Sequence, residues 1–184
     1  MPKYVAFLRA INVGGHVVKM EALRTLFETL DLANVETFIA SGNVIFDTKA
    51  KNERALQLKI EAHLQQTLGY EVATFLRTTA EVAAIAQYQP FTAAEMQAAS
   101  ALNVALLAEP LIDAAVQKLQ TLKTELDDFH VQGREVYWLC RAKQNESKFT
   151  NAVFERALKT KATFRGLNTI ARLAAKYPPT RNTK

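Results

Sequence analysis

Apolar positions recur along this chain at two alternating periods. Tyr4, Ala6 and Leu8 alternate with Val5, Phe7 and Arg9, so residues 3–9 are apolar on both faces and predict a central strand. Met20, Leu23, Phe27 and Leu30 then fall at steps of three and four, which predicts an amphipathic helix over 19–31. Residues 35–40 and 44–48 read as short strands joined by a hairpin turn at Ser41-Gly42-Asn43. Leu56, Ile60 and Leu64 mark a second helix with Gly69 as its C-cap. A fourth strand follows over 72–77, and Thr78-x-x-Glu81 is a capping box that opens a third helix to about Tyr88.

After Gln89-Pro90 the same pattern starts again. Residues 102–107 read as a strand, and Pro110 sits where a helix over 111–122 would begin. Residues 129–131 and 135–140 flank Gln132-Gly133-Arg134, a hairpin turn. A helix over 149–158, a short strand over 162–165, and a last helix capped by Asn168 and running to about Tyr177 complete the chain before Pro178-Pro179. Each half therefore reads strand–helix–strand–strand–helix–strand–helix, with the boundary at 90/91. That order is the split β-α-β arrangement. The expected fold is α+β: two ferredoxin-like (β-α-β-β-α-β) halves, residues 1–90 and 91–184, whose antiparallel sheets are packed together or merged. No residue-level repeat is visible between them.

Composition narrows the class without changing this picture. The 184 residues are 49% hydrophobic and 22% charged, the balance of a soluble globular protein. No apolar run approaches the ~18 residues needed to span a bilayer, and Gly14-Gly15 interrupts any secretory h-region. Cys140 is the single cysteine, so no intrachain disulfide can form and a cytoplasmic setting is expected. Charge adds an asymmetry. Residues 1–140 carry 12 Lys/Arg against 16 Asp/Glu, and residues 141–184 carry 11 against 2, so a segment of net charge +9 follows a body of −4. Such an end attracts anions or nucleic acid, contacts the protein's own acidic part, or is simply a solvated lysine-rich face.

Two polar, glycine-containing breaks carry the candidate chemistry. In a ferredoxin-like half the end of the first strand and the turn between the second and third lie at one edge. That edge gathers Arg9, Asn12, Gly14, Gly15 and Lys19 with Ser41, Gly42 and Asn43, and with the region of Gly69. Adjacent glycines let backbone N–H groups approach a ligand just ahead of a helix, Arg9 offers a bidentate clamp and Lys19 a point charge, and Asn12, Ser41 and Asn43 are neutral donors. The pattern is neither Gly-x-Gly-x-x-Gly nor a Walker A loop. The structural alternative is that the glycines serve tight turns, the asparagines bond loop backbone and Arg9 pairs with an internal carboxylate. In the second half the same topology is expected to set Arg165 and Asn168 beside Lys148 and Asn151.

Other chemistry is poorly served. His16, His63 and His130 are scattered and Cys140 is alone, so no metal is implied. His63 sits on the apolar side of its helix, Cys140 closes an apolar strand as a buried thiol, and Asp127-Asp128 reads as turn chemistry.

Phe7-Leu-Arg-Ala-Ile-Asn-Val-Gly-Gly15, with Met20, Leu23 and Ala40-Ser-Gly-Asn-Val-Ile-Phe46, resembles the N-terminal signature of a mainly bacterial family known as domain of unknown function 1697. Ser147-Lys-Phe-Thr-Asn151, Glu155 and Thr163-x-Arg165-x-x-Asn168-Thr169 are similar to its C-terminal signature, and here Gly166-Leu167 stand where the family commonly has Asn-Trp. The resemblance implies an α+β cytosolic protein of this size and carries over no activity, substrate or cofactor, so none is expected. Three functions stay open: a module binding a phosphate-bearing small molecule or nucleic acid; a small enzyme acting on an anionic metabolite, with His16 its one titratable base in the loop; and an interaction protein docking through its basic end. Sheet-based RNA recognition would require Tyr4, Phe7, Tyr137 or Trp138 on an open face.

Overall fold

Strand register organises the chain into two units with one plan. In the computed structural model, which describes residues 1–12 and 14–179, the first unit comprises Met1–Ile85 with the segment from Leu173, and the second comprises Ala86–Arg172. The first unit runs β1 (Lys3–Leu8), α1 (Met20–Glu28), β2 (Ala33–Thr37), β3 (Asn43–Asp47), α2 (Glu53–Leu68), β4 (Thr74–Thr78) and α3 (Thr79–Gln87). The second opens on a short helix α4 (Ala93–Ala98) and continues with β5 (Ala101–Leu106), α5 (Asp113–Gln120), β6 (Asp127–Gln132), β7 (Glu135–Cys140), α6 (Asn151–Leu158), β8 (Thr163–Gly166) and α7 (Leu167–Lys176), whose residues from Leu173 onward belong to the first unit. The two antiparallel sheets are ordered β2-β3-β1-β4 and β6-β7-β5-β8, which is the same order read twice and the ferredoxin-like one.

Local chemistry accounts for several element ends. Asn52 accepts the Ala55 N–H and Gly69, at φ 81°, closes α2 in the left-handed conformation. Thr78 and Glu81 form the expected reciprocal bonds ahead of α3. Three features depart from the sequence reading. Helix α4 was not anticipated, although Thr92 and Glu95 form a complete capping box there. The β2–β3 connection covers 38–42 rather than three residues, because β2 ends at Thr37. Asn168 lies inside α7, since β8 passes into that helix without a cap residue between them.

Each unit packs its helices on one sheet face. Ala6, Leu8, Val44, Phe46 and Leu76 meet Leu23, Phe27, Ile60 and Leu64 in the first core. Ala105, Val136 and Trp138 meet Leu119, Phe149 and Phe154 in the second. The opposite sheet faces are buried as well: Val5, Phe7, Ile45 and Phe75 in one unit, and Val104, Leu106, Tyr137 and Leu139 in the other, are all at most 2% exposed.

Register also exposes a residue-level repeat that inspection of the sequence misses. Val5 pairs with Ile45 and Arg77, and Val104 pairs with Tyr137 and Arg165. In that frame Val5-Ala-Phe-Leu8 matches Val104-Ala-Leu-Leu107, Val44-Ile-Phe46 matches Val136-Tyr-Trp138, and Phe75-Leu-Arg77 matches Thr163-Phe-Arg165. Both arginines are buried, and each donates from Nη1 to the carbonyl of the residue before it, at 2.7 Å to Leu76 and 2.9 Å to Phe164. Three residues ahead of each arginine, at or just before the start of its strand, a helix glutamate accepts a backbone N–H: Glu61 from Thr74 at 2.8 Å and Glu155 from Ala162 at 3.0 Å.

Candidate functional site

The end of β1, the β2–β3 connection and the start of β4 do meet at one edge of the first sheet. Leu8 N–H donates to Gly42 O and Arg9 N–H to Ala73 O, both at 2.8 Å. Asn12 ties the two loops together: its Nδ2 donates to Ala40 O at 3.3 Å, and its Oδ1 accepts Val18 N–H at 2.6 Å. Asn43 is fully buried and donates to Phe38 O at 2.9 Å and to Ser41 Oγ at 2.8 Å. Gly42 is required by packing as well as by its φ of +77°, because a Cβ there would lie 2.7 Å from Ile11 Cγ2 and 3.2 Å from Leu8 Cβ. These three side-chain and backbone positions build the frame of the edge.

Gly14, Gly15 and Lys19 occupy the outer part of that edge and are exposed; Val13, between Asn12 and Gly14, lies outside the described residues. Both glycines have positive φ, +69° and +86°, and a Cβ at either would meet nothing within 4 Å. Lys19 holds the N-cap position of α1 but supplies no side-chain cap, unlike Asn52 on α2 and Thr150 on α6. The first N–H groups of α1 therefore lack the side-chain acceptor that the other two helices have. His16 stacks on Tyr70 with ring centroids 3.8 Å apart, and Tyr70 Oη donates to Ile11 O at 3.0 Å, so the outer loop is braced against the segment after α2. Burial pushes the Tyr70 phenol up. Ala10 and Ile39, one in each loop, hold left-handed φ values of 54° and 53°. Non-glycine residues are strained there by about 1–2 kcal/mol, and such strain gathers at ligand sites and switches.

The second expected cluster is divided. Phe164 packs with Phe149 and Phe154 on the helix side of the second sheet, so the next residue, Arg165, points to the opposite face. Arg165 is 8% exposed, and its guanidinium donates to Thr163 Oγ1 at 2.8 Å and is pushed down to about 10 by burial, which leaves it protonated at neutral pH. Lys148 is exposed on the helix side, at the rim of a cavity of about 480 Å³. Asn151 donates to Ala162 O at 3.4 Å at the start of β8, and Asn168 is exposed on α7. Position 166 has room for a side chain, since a Cβ would touch only Asn103 Oδ1 at 3.9 Å.

Two groups escaped the sequence reading. Asp127, read as turn chemistry, is 2% exposed and accepts from Trp138 Nε1 at 2.8 Å, from Ser147 Oγ at 2.8 Å and from Thr124 Oγ1 at 3.0 Å. Lys49, Lys51 and Lys59 line a cavity of about 740 Å³ beside the N-terminus of α2, and the cluster Lys49-Ala-Lys51 was the available signal. Among the described residues no group of three or more His, Cys, Asp or Glu is placed to hold a metal ion. His63 Nε2 lies 3.0 Å from Thr29 Oγ1, as a satisfied boundary histidine, and the Cys140 thiol is pushed up by burial. No helix among the described residues is long and apolar enough to cross a membrane.

Comparison with known proteins now fixes the family. The model of a protein family of unknown function, DUF1697, matches residues 1–137, a span that includes the whole loop edge. The chain belongs to that family. The matched span ends before Ser147–Asn151 and Thr163–Thr169, so the second set of signature residues stands on its own. No protein of curated function matches the chain. A solved structure of the conserved bacterial protein SP0830 from Streptococcus pneumoniae is similar over 96% of this chain and 98% of its own, with a TM-score of 0.76 and 22% identity. At that identity the likeness carries the fold.

Proposed function

We propose that this DUF1697 protein binds a phosphate-bearing or other anionic ligand at the loop edge of its first unit. The observation that carries the reading is the start of α1: a helix of nine residues with no side-chain cap, approached by two open, left-handed glycines and flanked by Lys19. Uncapped N–H groups and the positive end of the helix dipole favour an anion, and the absence of Cβ atoms at 14 and 15 lets it come close. Arg9, Asn12, Ser41, Gly42 and Asn43 serve this site by holding or bordering it. The strain at Ala10 and Ile39 supports a functional loop. Nucleic acid enters through the same chemistry only by its phosphates. Phe7, Tyr137 and Trp138 are at most 5% exposed and the half-buried Tyr4 packs against the first core, so among these four strand aromatics none is offered on an open face for base stacking.

A second reading has its own observation. The cavity lined by Lys49, Lys51 and Lys59 in the same unit faces an anion with three cations against Asp31 alone. Isothermal titration with inorganic phosphate and with a mononucleotide, repeated on Lys19→Gln with Gly15→Val and on Lys49→Gln with Lys51→Gln, separates the two. Loss of binding in the first variant alone supports the loop edge, and loss in the second alone moves the site to the lysine cavity. A single-stranded RNA oligomer titrated by anisotropy across a salt series completes the test, since log K falls by ~0.7 per phosphate contacted for each tenfold rise in salt. Binding of all three probes that survives both variants removes the reading.

A further inference from the structure

The second unit contains a cavity that anion binding does not explain. Its walls are apolar, formed by Leu122, Leu126, Phe149 and Val153, and its volume of about 480 Å³ suits a small organic molecule. Its charged lining is unbalanced: Glu125, Asp127 and Glu146 stand against Lys148. Asp127 matters most, because its carboxylate is buried and all its donors are neutral. The Trp138 indole, the Ser147 hydroxyl and the Thr124 hydroxyl hold it, and among the described residues no cationic side chain reaches it. A buried carboxylate without an opposite charge is held at a penalty that hydrogen bonds only partly offset, so a cation arriving beside it is favoured.

We infer that this cavity binds a small amphipathic cation: a protonated amine carried on a compact aromatic or branched aliphatic body. The hydrocarbon body fills the Leu122–Val153 walls, and the three carboxylates select the charge. An anion of the same size is rejected by the net charge of the lining, which makes this site distinct from the loop edge and independent of it. The chain also carries its own reporter. Trp138 is the only tryptophan, and its Nε1–H is bonded to Asp127, so a charge placed near that carboxylate shifts the indole emission.

The test is a titration of the full chain with phenethylammonium, with neutral 2-phenylethanol and anionic 3-phenylpropionate as equal-sized probes, followed by Trp138 emission and by calorimetry. The expected result is one site per chain with phenethylammonium at least about tenfold tighter than either analogue, a difference of ~1.4 kcal/mol. Val153→Phe, which fills the cavity from a half-buried helix position, should abolish binding. Glu125→Gln with Glu146→Gln, both exposed and outside the core, should weaken it several-fold with an unchanged circular dichroism spectrum. Equal affinity for the three probes, preference for the anion, no binding at all, or binding unaffected by Val153→Phe in a folded protein would each overturn the inference. Failure of phosphate to bind at the loop edge leaves it untouched.

Discussion

The two units of this protein share a skeleton and differ at its ends. Both have the same strand order, a valine on the first strand opposite a buried arginine on the fourth, and a helix glutamate holding a backbone N–H three residues before that arginine. The edges differ. In the first unit β1 is followed by a loop over 9–19 with two open glycines, and β2 and β3 are joined through five residues. In the second, β6 and β7 are joined by Gly133-Arg134 alone, with Gly133 at φ 57°. A hairpin of two residues closes an edge, whereas long loops on a rigid sheet offer one for binding. The repeat thus identifies which features belong to the scaffold, and the departures from it mark the loop edge where the proposed ligand site lies.

The buried arginines give the largest effect by which that comparison can be broken. Arg77→Ala and Arg165→Ala each remove a long buried side chain and leave carbonyls without their donor, which should lower stability by about 3–5 kcal/mol. If the repeat is energetic as well as geometric, the two losses in urea denaturation followed by circular dichroism agree within about 1 kcal/mol. Arg77→Met and Arg165→Met should recover part of each loss by restoring volume. A silent Arg77→Ala beside a damaging Arg165→Ala would reduce the repeat to a coincidence of register.

A smaller effect separates scaffold from site within one edge. Gly42→Ala drives a Cβ to 2.7 Å from Ile11 and forces a left-handed alanine, so about 2–4 kcal/mol should be lost. Gly14→Ala meets open space and carries only the conformational penalty of about 1 kcal/mol. The thermal midpoint should therefore fall well below wild type in the first and only slightly in the second, while phosphate binding weakens in Gly14→Ala although its fold is kept. Equal midpoints would mean that Gly42 is no more structural than Gly14.

Much of the scaffold was legible because it rests on local patterns. Among the described residues, apolar spacing and turn signals located all eight strands and six of the seven α-helices, and Asn52, Gly69 and the Thr78–Glu81 pair act as their chemistry suggests. Helix α4 was missed because its six residues bury no side chain, leaving its capping box as the only signal. The site was less legible. Topology correctly brought Arg9, Asn12 and Ser41–Asn43 to one edge, but which of them frame it depends on side-chain direction, and spacing does not encode that. The same limit separated Arg165 from Lys148: adjacent strand residues face opposite ways, so sharing an edge is not sharing a surface. Asp127 does bond locally with Thr124, as a turn aspartate would, but nothing local reveals that Trp138 and Ser147 also reach it, from 11 and 20 residues away.

The residue next to it provides the mildest test. Asp128 faces Lys123 at 2.7 Å and Arg141 at 3.7 Å, and Arg141 also approaches Glu95 at 3.8 Å. Burial alone would raise the Asp128 carboxyl, but the hydrogen bonds from Lys123 and the Phe129 N–H, with the charges of Lys123 and Arg141, bring it below the usual aspartate value of 3.8. A carboxyl whose folded value is depressed stabilises the fold above its unfolded value, and that stabilisation is lost as pH falls through the folded value. Asp128→Asn should therefore lower stability at pH 6 by about 0.5–1 kcal/mol, modest because both cations are solvated. The difference from wild type should shrink below pH 3.8 and vanish once Asp128 is protonated in both states. Urea midpoints of the two proteins from pH 7 to pH 2.5 measure this. The first unit has its own exposed pair, Lys176 with Glu36 at 3.5 Å. A parallel Glu36→Gln series then serves as the control: a pH-dependent gap confined to Asp128→Asn assigns the effect to the cations around Asp128, and an equal gap in Glu36→Gln would show it to be a general property of surface carboxylates.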